Sequence, residues 1–118
     1  MTEYEKEWVA DSDVPSLSRI RYGLTKYRGK PVRFLIQLEY WHAGEWLVVA
    51  RADHDANGPS YQNVERNGIH LDIHHPVDGQ VGKITKWSPQ PAEEAMGVAD
   101  DFIRKNADMF VRRFESWL

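Results

Sequence analysis

The chain has 118 residues, 42% of them hydrophobic and 28% charged, with no cysteine and a formal net charge of −3. That is the make-up of one folded domain able to bury its own core, and it excludes a disulfide framework, a thiolate metal site and a disordered chain. The net charge does not support binding of nucleic acid through bulk field. No apolar run reaches the roughly 18 residues of a membrane span, so no membrane association is expected, and a cytoplasmic location is.

The charge is uneven along the chain. Met1–Asp13 holds Glu3, Glu5, Glu7, Asp11 and Asp13 against Lys6, a net of −4. Residues 1–17 therefore read as an acidic N-terminal arm, with Trp8 and Val9 as its anchors, ahead of a single domain over 18–118.

From Ser18 onward the pattern is that of strands. Arg19–Tyr27 alternates, and the glycine and proline of Arg28-Gly29-Lys30-Pro31 mark a turn. Pro31–His42 follows with Val32, Phe34, Ile36, Leu38 and Tyr40 on one face and Arg33, Gln37 and Glu39 on the other. Ala43-Gly44 is a hairpin connection and Glu45–Asp53 the returning strand. Asp55–Gly68 is a polar loop. Ile69–His74 and Val81–Trp87 are the fourth and fifth strands, joined by a turn at Pro76–Gly79. Consecutive strands with short connections predict an antiparallel meander.

The period then changes. Ser88-Pro89-Gln90-Pro91 precedes an acidic first turn, and Ala95, Ala99, Phe102, Phe110, Phe114 and Trp117 recur at helical spacing, flanked by Val98, Ile103 and Val111. About 27 helical residues would make one rod near 40 Å long, with a break conceivable at Lys105–Asp108. The expected fold class is α+β: a meander of about five strands with one long C-terminal helix on one face.

The other face is where chemistry would lie. Alternation places Arg19, Arg21, Arg33, Gln37, Glu39, Arg51, Asp53, His70, Asp72, His74 and Lys83 on it. In His70-Leu71-Asp72-Ile73-His74 an imidazole, a carboxylate and a second imidazole project the same way. That makes His70, Asp72 and His74 candidate catalytic residues, with Asp72 fixing a histidine tautomer. Arg21, Arg33, Arg51 and Asp53 are the candidate ligand-binding residues, since arginine recognises phosphate and carboxylate. His54, His70 and His74 are the candidate ligands for a divalent metal, although no zinc spacing is matched and the cofactor, if any, is unknown. The same pattern is also that of an ordinary solvated sheet face laced with cross-strand charge pairs. His75, before Pro76, reads as turn structure. No phosphate loop, nucleophile elbow or HExxH occurs.

Three stretches carry a resemblance: Gln37-Leu38-Glu39-Tyr40; Gly44-Glu45-Trp46 running on to Arg51-Ala52-Asp53; and His70-Leu71-Asp72-Ile73-His74-His75-Pro76-Val77-Asp78-Gly79. Together they resemble a widespread family of small uncharacterised bacterial and archaeal proteins. Its pattern is a Gly-x-Trp hairpin, an Arg-x-Asp strand end, His-x-Asp, His-Pro-x-Asp-Gly and a closing helix. The likeness covers about two thirds of the chain and leaves out the tail and the 55–68 loop. A fainter likeness is to the TumE-like toxins of toxin–antitoxin pairs. The resemblance implies the fold and the choice of residues, and no activity. Two functions remain: a binding module using the polar sheet face, with a protein partner or a second copy in a homodimer, or a toxin- or defence-type enzyme acting on RNA or nucleotides.

Overall fold

A computed structural model describes residues 4–118. It contains a six-stranded antiparallel sheet in which every strand neighbours the next in the chain: β1 (Lys6–Ala10), β2 (Ser18–Tyr27), β3 (Lys30–His42), β4 (Glu45–Asp55), β5 (Leu71–His75) and β6 (Gly79–Ile84). The α+β class and the meander are as expected, and the strand count is six rather than about five.

The added strand comes from the acidic segment, whose residues 1–3 lie outside the described residues. β1 pairs with β2 in the register Trp8↔Tyr22. Trp8 is an anchor, stacked on Tyr22 with ring centroids 5.0 Å apart. Val9 points to solvent, and the deeper anchor is Tyr4, which is buried over Gly23. Only glycine leaves room there: a Cβ at position 23 would sit 2.5 Å from Tyr4 Cδ2.

Two-residue hairpins at Arg28-Gly29 and Ala43-Gly44 have positive φ at both central residues, the mirror-image turn that suits the twist of paired strands. The last strand spans Gly79–Ile84 rather than 81–87, so Trp87 lies beyond the sheet and meets Phe102 edge-on instead. The 55–68 segment is not featureless. It holds a 3-10 turn at Ser60–Gln62 and a short helix α1 (Val64–Asn67), capped by the Asn63 side chain accepting from the Glu65 amide.

The C-terminal helix is two helices, α2 (Ala92–Lys105) and α3 (Ala107–Ser116), which corrects the single rod. The break is at Asn106, where φ −111° and ψ 8° leave the helical region and the side-chain amide donates to the Phe102 carbonyl at 2.9 Å. A short polar side chain that bonds its own backbone competes with helix continuation, and does so here. The break re-aims the buried stripe. α2 lays Ala92, Ala95, Ala99 and Ile103 on the sheet, α3 lays Ala107, Phe110, Val111 and Phe114 there, and Val98 is left outside. The buried side of α2 is made mostly of alanines and that of α3 of two phenylalanines with Ala107 and Val111.

The core lies between these helices and Ile20, Tyr22, Phe34, Ile36, Leu38, Tyr40, Ala50, Ala52, Leu71 and Ile73. Its polar edges are closed by tyrosines: Tyr22 donates to Asp100 and accepts from Arg104, and Tyr40 donates to Glu115 at 2.8 Å. Burial first, then the bond to Asp100, pushes the Tyr22 hydroxyl up to about 12. No helix is long and apolar enough to cross a membrane among the described residues.

Candidate functional site

Both long helices lie on one side of the sheet; over the second face the described residues place only Tyr4, above Gly23, and the loop carrying Tyr61 and Gln62. Strand register sets what stands there. Arg21 pairs with Gln37, Gln37 with Arg51, Arg51 with Asp72, and Asp72 with Lys83, so one row of polar side chains crosses five strands. The neighbouring row aligns Arg19 with Glu39. A bulge at Leu38/Glu39 then shifts the pairing, so that Glu39 faces Val48 and Trp41 faces Trp46.

The charges of this face are paired with one another. Arg19 Nε donates to Glu39 Oε1 at 2.7 Å and Gln37 Nε2 to Glu39 Oε2 at 2.6 Å. Glu39 is only 3% exposed, and these two donors are what make its burial tolerable. Arg21 stands 3.4 Å from Glu7, Arg33 3.7 Å from Asp55, Arg51 3.3 Å from Asp53 and Lys83 3.9 Å from Asp72. The Arg19 guanidinium also lies 4.0 Å above the Trp46 ring, and Trp41 meets Trp46 edge-on. Trp41 is 40% exposed.

Toward β5 and β6 the face sinks into a cleft of about 220 Å³. Asp53 of β4, His70 at the entry to β5, Asp72 of β5, and Gln80 and Lys83 of β6 line it; Tyr61 and Gln62 of the 3-10 turn roof it. Asp72 Oδ1 accepts from Gln80 Nε2 at 3.1 Å. Partial burial raises the Asp72 carboxyl above its ordinary value and the nearby Asp53 adds to that, while Lys83, His74 and Arg51 pull against it. Burial also lowers His74, with Asp72 opposing and Arg51 reinforcing.

The candidates of the sequence thus separate. Asp53, His70 and Asp72 come together in the cleft. His74 shares β5 with Asp72 and feels Asp72 and Arg51, but does not line the cleft. Arg51 borders it through Asp53, whereas Arg21 and Arg33 lie across the sheet, with Arg33 also 4.6 Å above the Tyr4 ring. His54 is on the opposite face. It pairs with Phe34, is 2% exposed, stacks on Phe34 at 5.4 Å and accepts the Val64 amide on Nδ1 at 3.1 Å. Its separation from His70 and His74 breaks up the metal set of the sequence. Among the described residues no three His, Asp or Glu side chains are grouped to hold a metal ion. His75 has the turn role read from the sequence: Nδ1 accepts the Val77 and Asp78 amides at 3.1 and 3.3 Å.

Tyr61, Gln62 and Gln80 were not candidates. Gln80 precedes the strand as read from the sequence, and a bulge between Ile73 and His74 sets its pairing with His74. Tyr61 and Gln62 sit in what the sequence reads as a polar loop without periodicity, ordered here by the 3-10 turn and the Asn63 cap.

A family profile described as "Domain of unknown function (DUF7718)" matches residues 1–118. The chain belongs to this family. Among curated proteins and among solved structures, none matches the chain significantly. The match spans both the open face and the helices, so cleft, face and core all lie within the family's domain.

Proposed function

We propose that the protein is a binding module, that its docking surface is the open face of the sheet, and that the partner is a second copy of the chain. The supporting observation is the state of the charges on that face. Arg19, Arg21, Arg33 and Arg51 each stand against a carboxylate of the same face. A surface with its signs already balanced gives a polyanion no net attraction. It does match a surface of the same mixed kind, and a two-fold-related copy supplies one automatically. Trp41, Trp46 and Arg19 add the residue types that anchor protein interfaces. With extents of 40 × 28 × 25 Å, the face is broad enough for the roughly 800 Å² per partner that a stable interface needs. The reading of His70, Asp72 and His74 as an acid–base set acting on RNA or nucleotides has less support, because the arginines it would use for phosphate are engaged by carboxylates.

Sedimentation equilibrium tests this. The expected result is a dimer of the 13.7 kDa chain that dissociates in the micromolar range. Trp41→Asp should weaken it at least about tenfold while leaving the fold, judged by circular dichroism, unchanged. A wild-type protein that stays monomeric up to about 1 mM would overturn the reading.

A further inference from the structure

The cleft at the β4–β6 end of the sheet has a character of its own. Its walls come from three adjacent strands, so their spacing is fixed by the ladder. Its roof is fixed as well. The Asn57 amide bonds Asp55 Oδ1 at 2.9 Å, the Gln62 amide bonds the Pro59 carbonyl at 2.9 Å, and the Val64 amide is held by buried His54. The loop that carries Tyr61 and Gln62 is therefore tied at both ends, and the cleft is preformed rather than made on binding.

The charges decide what it can take. Asp53 and Asp72 bring two carboxylates, and Arg51 and Lys83 stand 3.3 and 3.9 Å from them. An anion entering would meet both carboxylates, with Lys83 the only lysine or arginine lining the cleft among the described residues. An ammonium or metal cation would meet carboxylates already compensated and would have Lys83 beside it. What the walls offer is hydrogen bonding of both kinds. Carboxylate oxygens accept, the amides of Gln62 and Gln80 donate and accept, with Gln80 Nε2 also bonded to Asp72 Oδ1, and the His70 imidazole lines the cleft beside them.

A hydroxyl group both donates and accepts, and a pair of neighbouring hydroxyls matches a carboxylate or an amide edge. Tyr61 adds a ring at the mouth, 54% exposed, as a flat surface for the C–H face of a sugar. The volume of about 220 Å³ falls below the roughly 300–1,000 Å³ of sites for drug-sized ligands and suits a single ring. We infer that this cleft binds a neutral polyhydroxylated ligand of monosaccharide size, with Asp72, Gln80 and His70 bonding its hydroxyls and Tyr61 packing on its ring. The inference does not rest on self-association, since the cleft lies at the opposite end of β4 from Trp46.

The test is a heteronuclear NMR titration of the full chain with D-glucose, D-galactose, D-mannose and D-ribose, and separately with inorganic phosphate, ethanolamine and magnesium chloride. At least one sugar should shift the amides of Tyr61, His70, Asp72 and Gln80 saturably, with a dissociation constant on the order of 1 mM. Tyr61→Ala and Gln80→Ala, both at exposed positions, should each weaken that binding at least about tenfold without altering the remaining spectrum. Absence of saturable sugar shifts, shifts that survive both substitutions, or saturation by phosphate, ethanolamine or magnesium instead would each overturn the inference. Running Trp41→Asp in parallel separates the two readings, because that variant should lose self-association and keep the sugar.

Discussion

Burying His54 as a neutral ring has a cost that pH should reveal. The side chain is 2% exposed, and burial lowers its proton affinity against the opposing pull of Glu65, Asp55 and Asp53. In the unfolded chain it titrates near the ordinary 6.5. The unfolded state therefore binds the proton first. The histidine's contribution is fully present above about pH 6.5 and is lost as pH falls from there toward the depressed folded value. Within that window one histidine changes stability by at most about 1.4 kcal/mol per pH unit. His74, lowered by burial as well, acts with the same sign, its contribution also being lost as pH falls below about 6.5. Urea unfolding of the wild type, His54→Gln and His74→Gln at intervals from pH 8 to pH 5 measures the two shares.

Glutamine retains an acceptor for the Val64 amide and cannot take up a proton, so His54→Gln should cost about 1–2 kcal/mol at pH 8 and flatten the slope below pH 6.5. His54→Ala should cost about 4 kcal/mol at pH 8, from an orphaned amide at roughly 1–3 kcal/mol and the cavity left by the ring, and less as pH falls below about 6.5 and the wild type loses the histidine's contribution. If His54→Gln keeps the full wild-type slope, the ring is not held neutral and the argument fails.

Two further changes probe the face and its edge. Asp72→Asn should raise stability at pH 7 by less than about 1 kcal/mol, because a carboxyl with a raised folded value contributes most below its ordinary 3.8 and loses that contribution as pH rises. Calorimetry at pH 7 and pH 3.5 checks the sign, and the gain should vanish at the lower pH. Gly23→Ala drives a Cβ onto Tyr4 Cγ and Cδ2, so Tyr4 should leave its seat and β1 loosen. Limited proteolysis should then cut before Ser18 several-fold faster, with the rest of the sheet intact; an unchanged cleavage rate would show that Tyr4 does not hold that edge.

Strand identity, the meander and the division of the sheet into an apolar and a charged face were legible because each rests on a period of two, which the sequence states outright. Val32 to Tyr40 shows it: Phe34, Ile36 and Leu38 are buried under the helices, and Gln37 and Glu39 lie on the opposite face, buried there with Leu35 and bonded to each other. The helix break was legible as an alternative, since Lys105–Asp108 stood out as polar, and Asn106 bonding back to Phe102 decides it. Two things were not legible. β1 is a short strand within an acidic segment, and its pairing depends on a tyrosine seated over a distant glycine. The order of the 55–68 loop depends on a histidine whose partner is ten residues away. Each is a contact between one side chain and a backbone or a gap, and such contacts leave no period.

The histidines show how finely parity decides chemistry. Asp53 and His54 are adjacent in sequence and lie on opposite sides of the sheet, one lining the cleft and the other inside the core. Ala52 pairs with Leu71, so β4 brings Asp53 toward His70 and Asp72 and takes His54 away from them. A shift of one residue in that register would put His54 among the cleft residues and Asp53 in the core, the arrangement a metal site would need. The chain holds the other register because Phe34, Ala52 and Leu71 must be buried together and because His54 has work there, accepting the Val64 amide at the start of α1. α1 in turn receives the helical layer: the Gln90 amide bonds the Val64 carbonyl at 3.2 Å and the Ala92 amide bonds Glu65 at 3.1 Å. The core histidine thus supports the cleft without entering it, since the loop it anchors carries Tyr61 and Gln62 over Asp72. Loss of His54 should consequently be felt in the cleft before the sheet itself gives way.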